Sequence, residues 1–185
     1  MPIVMESLYR IAESQAGYFT TAQAREAGVS RQELYFLRKS GDLLQVAYGI
    51  QRLARFPANA HEDIVVACLW AGSDAVASHE SALVVYGIGE AMPPVIHVTV
   101  PRPFRGRRKG VRVHHADLAS DERARRDGVP VTSPLRTIAD IASHDLPGAS
   151  VALTDALEGG LIRKGQLDQA AEKYPVTSSV FGNIR

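Results

Sequence analysis

The sequence holds one cysteine, Cys68, which excludes a disulfide framework. Cys68 lies inside the apolar stretch Ile64–Trp70, where a thiol serves as a small core hydrophobe. No apolar run reaches the roughly 20 residues that a bilayer-spanning helix needs. The opening Met1–Glu6 has no basic segment leading into an apolar one, so neither a membrane span nor a signal peptide is expected and the location is read as cytoplasmic. An excess of charge is missing too: 21 Lys and Arg face 20 Asp and Glu, a net +1. Any nucleic-acid contact must therefore come from local placement of cations. Gly87-Ile88-Gly89 lacks the strand–turn–helix setting of a phosphate loop. No H-E-x-x-H or paired Cys/His spacing appears, so we expect no metal, no cofactor and no catalytic residue.

What the chain does have is ordinary globular material, 185 residues with 45% hydrophobic content, enough for one large or two small domains. Ile3, Val4, Leu8, Ile11 and Ala12 recur at helical spacing, with Gly17 closing the run. Thr20 with Gln23, and Ser30 with Glu33, have the spacing of capping boxes, and Gly28 between them suits a tight turn. The second box opens a helix running to Lys39 that directs Val29, Leu34 and Leu37 inward. Leu43–Leu53 then reads as two short strands around a turn.

Two short helices joined by Gly-Val-Ser, the second rich in cations and amides, describe a helix-turn-helix. Ser30, Arg31, Gln32, Tyr35, Arg38 and Lys39 are its candidate DNA contacts, since Arg and Gln on a groove-bound helix can read base edges. The following strand pair would be the wing, with Arg52 and Arg55 on phosphate. The same outward residues would also suit a merely solvated face.

After a linker at Phe56–Asn59 the texture changes. Asn59 with Glu62 resembles another capping box opening an apolar helix to Ala71, and Ser78–Tyr86 reads as helix. Val95–Val100 alternates like a half-buried strand, and Val111–His115 reads as its partner across a long turn. That turn region carries Arg102, Arg105, Arg107, Arg108, Lys109 and Arg112 without one acid. It would touch nucleic-acid phosphate or an acidic protein surface, or serve as a solvated loop that discourages edge pairing. Val129–Thr132 suggests a third strand, placed at an edge by Pro130. Ser133-Pro134 starts a helix to Ala142; further helices are expected over 149–158 and 164–173, with a loose tail from 176.

His79 beside Glu80, and His114 beside His115, raise a metal reading, but neighbours on a strand face opposite ways and make poor joint ligands. Asp140, Asp155 and Glu158 would be the acids of a nuclease-like alternative, with surface pairing to basic neighbours as the simpler reading. A protein-interaction module without DNA binding is the third possibility.

Several ordered stretches resemble the AbiEi-family antitoxins of bacterial toxin–antitoxin systems. They are Gly17–Ala24, Gly28–Ser30, Gly41–Leu44 and Tyr48–Ile50 in the first part, then Ser78–Leu83, Ile96–Pro101 and Val131–Asp140. The resemblance implies an α+β protein: an N-terminal winged helix-turn-helix (1–57), then a mixed α/β domain with a small sheet and several helices (58–175), and a flexible tail (176–185). It also implies a non-enzymatic repressor that binds operator DNA, at repeats in its own promoter, with self-association on that DNA. The partner implied is a nucleotidyltransferase-like toxin, neutralised by the second domain.

Overall fold

The structure, a computed structural model, describes residues 2–181. Its first part comprises α1 (Pro2–Glu13), β1 (Tyr18–Thr20), α2 (Thr21–Glu26), α3 (Arg31–Lys39), β2 (Leu43–Ala47) and β3 (Ile50–Leu53). Both expected capping boxes form: Thr20 accepts from the Gln23 amide and Ser30 from that of Glu33, while each N3 side chain returns to its cap's backbone. Satisfying orphan amides this way fixes where α2 and α3 begin. The three strands make an antiparallel sheet in the order β1-β3-β2. Leu8, Phe19, Ala24, Leu34, Leu37 and Leu53 fill the space beneath it. This is a winged helix-turn-helix, with β2 and β3 as the wing.

The remainder contains α4 (Glu62–Ala71), β4 (Val76–Ala77), α5 (His79–Tyr86), β5 (Ile96–Val100), β6 (Val111–His115), β7 (Arg123–Arg126) and β8 (Val129–Thr132). Four helices follow: α6 (Pro134–Ala142), α7 (Leu146–Glu158), α8 (Leu167–Lys173) and α9 (Ser178–Phe181). A mixed sheet runs in the order β6-β5-β4-β8-β7. The late helices pack around a separate core that includes Leu83, Ile138, Ile141, Leu153 and Phe181.

Several expectations are corrected. Strands β5 and β6 pair in parallel, Ile96 opposite Val111, so residues 101–110 form a crossover and not a hairpin turn. Phe104 anchors that crossover by meeting Trp70 edge-on, ring centroids 4.9 Å apart. Strand β8 is interior, flanked by β4 and β7. Pro130 is tolerated there because β4 bridges β8 only at Ala77 and Val131. Asn59 does not cap α4: its Oδ1 accepts from the His61 amide and its Nδ2 donates to the Asp127 carbonyl. The tail expected from 176 is ordered as far as α9, where Val180 and Phe181 are buried; residues 182–185 lie outside the described part.

The winged helix is seated on the second sheet. Ala16, Tyr18 and Ile50 share one core with Ile64, Val65, Val129 and Val131. Tyr18 donates to Glu62 Oε2 at 2.6 Å, and burial together with that carboxylate pushes the phenol up to about 12. The Arg125 guanidinium donates to the Ser14 carbonyl. At Gly128 the backbone has φ +79°, and a Cβ there would stand 2.6 Å from the Ala16 nitrogen. Gly128→Ala should cost about 1–3 kcal/mol, combining the positive φ with overpacking. Urea unfolding measures it, and an unchanged midpoint would mean that the two parts yield at this seam.

Candidate nucleic-acid interface and a histidine–carboxylate centre

Helix α3 buries Leu34 and Leu37 on one side and leaves Arg31, Gln32, Tyr35, Phe36 and Lys39 exposed on the other. At helical spacing Gln32, Tyr35, Phe36 and Lys39 share one face, with Arg31 beside them. Arg38 is half-buried at the border of the apolar stripe. Tyr35 and Phe36 are 54% and 49% exposed and meet edge-on. Phe36 escaped the sequence reading, although its spacing from Gln32 could have placed it on this face. Tyr48, at the wing turn, is 98% exposed. Arg55 is open to solvent.

Two expected contacts change character. Ser30 is occupied by its cap: its hydroxyl donates to Glu33 Oε2 at 2.7 Å. That hydroxyl, with the Ser30 backbone, holds the Glu33 carboxyl below the usual range, so a carboxylate already fills the α3 N-terminus beside this candidate contact. Arg52 is half-buried, lies 5.8 Å from the Tyr18 ring centroid and donates to the Phe56 carbonyl at 2.8 Å. These contacts tie its guanidinium to the sheet.

In the basic crossover, Arg102, Arg105, Arg107 and Lys109 are exposed and Arg108 is half-buried; Arg112 projects from the edge strand β6. Among the described residues none of these six makes an ion pair.

No spacing in the chain joins His79, His97, His114 and His144, yet the fold gathers them. His79 and Glu80 open α5, His97 is buried in β5, and His114 lies on the parallel strand β6. His97 Nδ1 is 3.1 Å from His114 Nε2 and 3.2 Å from Glu80 Oε2. The rings of His79 and His114 stack with centroids 3.8 Å apart. His144 Nε2 meets Glu80 Oε1 at 2.9 Å, and Asp140 Oδ2 lies 4.0 Å from His79 Nδ1. Burial, then the neighbouring imidazoles, pushes His79 down to about 3 and His114 to about 4. Burial also lowers His97, against the pull of Glu80. Burial raises the Glu80 carboxyl, but its backbone amide and His144 outweigh this and hold it low. Asp140 is raised by burial, against Arg136. As expected for alternating strand neighbours, His115 points elsewhere, its Nδ1 3.1 Å from the Arg102 carbonyl.

The acids of the nuclease-like alternative do not join. Asp140 is tied to Arg136 Nε at 2.8 Å, Asp155 accepts from the Gly89 amide at 2.7 Å, and Glu158 is exposed. Cys68 is buried, which pushes its thiol up to about 12. Among the described residues no helix is long and apolar enough to cross a membrane.

Two family models match the chain. Residues 6–50 match one described as transcriptional regulator, AbiEi antitoxin, and residues 72–180 match the AbiEi antitoxin C-terminal domain. The crystal structure of the RV2827C protein from Mycobacterium tuberculosis is similar over 98% of this chain and 77% of that one, with a TM-score of 0.51 and 15% identity. At that identity the likeness concerns the fold alone. No curated protein matches.

Proposed function

Since the chain belongs to the AbiEi antitoxin family, whose descriptions are regulatory and not catalytic, we propose that it is a cytoplasmic repressor of its own operon that also neutralises a nucleotidyltransferase-like toxin. The division of labour follows the expected boundaries: residues 1–57 hold DNA and 58–175 serve the toxin. The observation carrying the DNA reading is the outward face of α3, where Arg31, Gln32, Tyr35, Phe36 and Lys39 are all exposed. A helix with its cations and amide turned to solvent fits a major groove without rearrangement. Arg38 at the border and Arg55 beyond the wing meet phosphate, and operator repeats seat two copies.

Gel shifts on the DNA upstream of its own reading frame test this. Sequence-specific binding that weakens steeply with salt is expected, because displaced counterions drive phosphate contact. Affinity indifferent to salt and sequence would remove DNA from the function.

The unpaired cations of the crossover fit an acidic surface of the toxin. Replacing Arg105, Arg107, Arg108 and Lys109 together by alanine should abolish rescue of toxin-expressing cells while leaving operator affinity within about 0.5 kcal/mol of the parent, the scatter of remote sites. Rescue that survives would reduce this segment to a solvated loop.

A further inference from the structure

No residue of the histidine centre is among the DNA or toxin contacts proposed above, and the centre is built as a site. We propose that His79, His97 and His114 bind a divalent transition-metal ion of the zinc class, with Glu80 beside them as a supporting carboxylate. One ring nitrogen from each histidine lies within 4.8 Å of the others. A tetrahedral zinc ion with bonds of about 2.0–2.1 Å sets neighbouring ligand atoms about 3.3 Å apart. The His97–His114 separation of 3.1 Å already has that length.

Unsatisfied buried atoms supply an independent observation. Asp140 Oδ2 makes no hydrogen bond although its side chain is only 10% exposed, and it faces His79. Glu80 Oε2 is also buried without a hydrogen-bond partner. Buried acceptors left unpaired are costly, and a cation among the three imidazoles would offset the charge of both carboxylates. Without an ion, His97 Nδ1 has two neighbours and at most one hydrogen to offer.

The surroundings orient the ligands as metal sites require. His144 holds the far oxygen of Glu80 at 2.9 Å. Ser78 Oγ lies 3.0 Å from His79 Nδ1 and itself receives the Thr99 hydroxyl at 2.8 Å. Arg136 takes the other oxygen of Asp140. Three imidazoles favour zinc, cobalt or nickel over calcium and magnesium, which prefer oxygen ligands. The ion would fasten the start of α5 to β5 and to the edge strand β6, where the basic crossover ends. Loading would thereby steady that crossover.

The test uses the full chain, free of any histidine tag and stripped with chelator. Calorimetric titration with zinc should show one ion per chain and a raised Tm. Long-range proton–nitrogen spectra should show the rings of His79, His97 and His114 shifting while His61 and His115 stay. Cobalt should give four-coordinate visible bands without a thiolate charge-transfer band. Glu80→Gln should lose about 10–100-fold in zinc affinity, the range seen when a metal's supporting groups are removed, and His114→Ala, which removes a ligand, should lose more than about 100-fold. No stoichiometric uptake, uptake with these rings unmoved, or unchanged affinity in His114→Ala would overturn the assignment. Should His114→Ala not fold, the ring shifts of the unaltered protein decide alone.

Discussion

Replacing Arg31 by alanine is expected to weaken operator binding by about 1–3 kcal/mol and to relax the preference at one base position. Arg38→Ala should lie at the lower end of that range, because Arg38 sits at the border of the buried stripe. A cation there reaches the phosphate strand more readily than a base edge, so its loss should act alike on all sequences and flatten the salt dependence. The double variant adds the two effects if the contacts are independent. Quantitative gel shifts at several salt concentrations separate them. Parent affinity in the double variant would remove α3 as the reading helix and shift attention to the aromatic pair Tyr35 and Phe36 or to Tyr48.

Glu122→Ala should be among the most damaging single changes, costing about 3–5 kcal/mol in urea unfolding, as expected when one member of a buried charged network is removed. The Glu122 side chain is 8% exposed. It accepts from the Tyr174 hydroxyl at 2.7 Å and from the Ala119 amide at 2.9 Å, and pairs with Arg136 at 3.2 Å. Truncation strands the phenol and leaves Arg136 with Asp140 alone. Glu122→Gln keeps the shape and should cost less.

The pH dependence follows from the same contacts. Burial raises the Glu122 carboxyl, but Tyr174, the Ala119 amide, Arg136 and Lys173 outweigh it and hold the group below its ordinary value. Its stabilising contribution is thus complete above the unfolded carboxyl range near about 4.3 and is lost as pH falls through the lower folded value. The gap between parent and Glu122→Gln should narrow below about pH 4. A gap independent of pH would mean that packing, and not charge, is what Glu122 supplies.

What was readable from sequence was local. The boxes at Thr20 and Ser30 span four residues each, and their chemistry is complete within the helix they start. The inward set Val29, Leu34 and Leu37 followed from helical spacing for the same reason. What escaped depends on distant partners. Tyr18–Thr20 and Arg123–Arg126 carry no strand signal of their own and become strands only where β3 and β8 pair with them. Arg52 looked free because Tyr18 and the Phe56 carbonyl are brought to it only by the folded sheet. The histidine centre needs the parallel register that sets Thr99 opposite His114; a hairpin, the simpler reading of two nearby strands, offers no such meeting. Asn59 misled because its acceptor and donor serve His61 and Asp127 instead of a helix amide.

The seat of the winged helix bears on how the protein comes apart. With Tyr18 and Ile50 buried among Val65, Val129 and Val131, neither half keeps a closed interior once the chain is cut near Pro57. A truncated head would show water an oily face where its neighbour had been, and would tend to clump. Melting should therefore proceed as a single cooperative event, and strain applied to the far sheet would be felt at the reading helix instead of being absorbed by a pliant hinge.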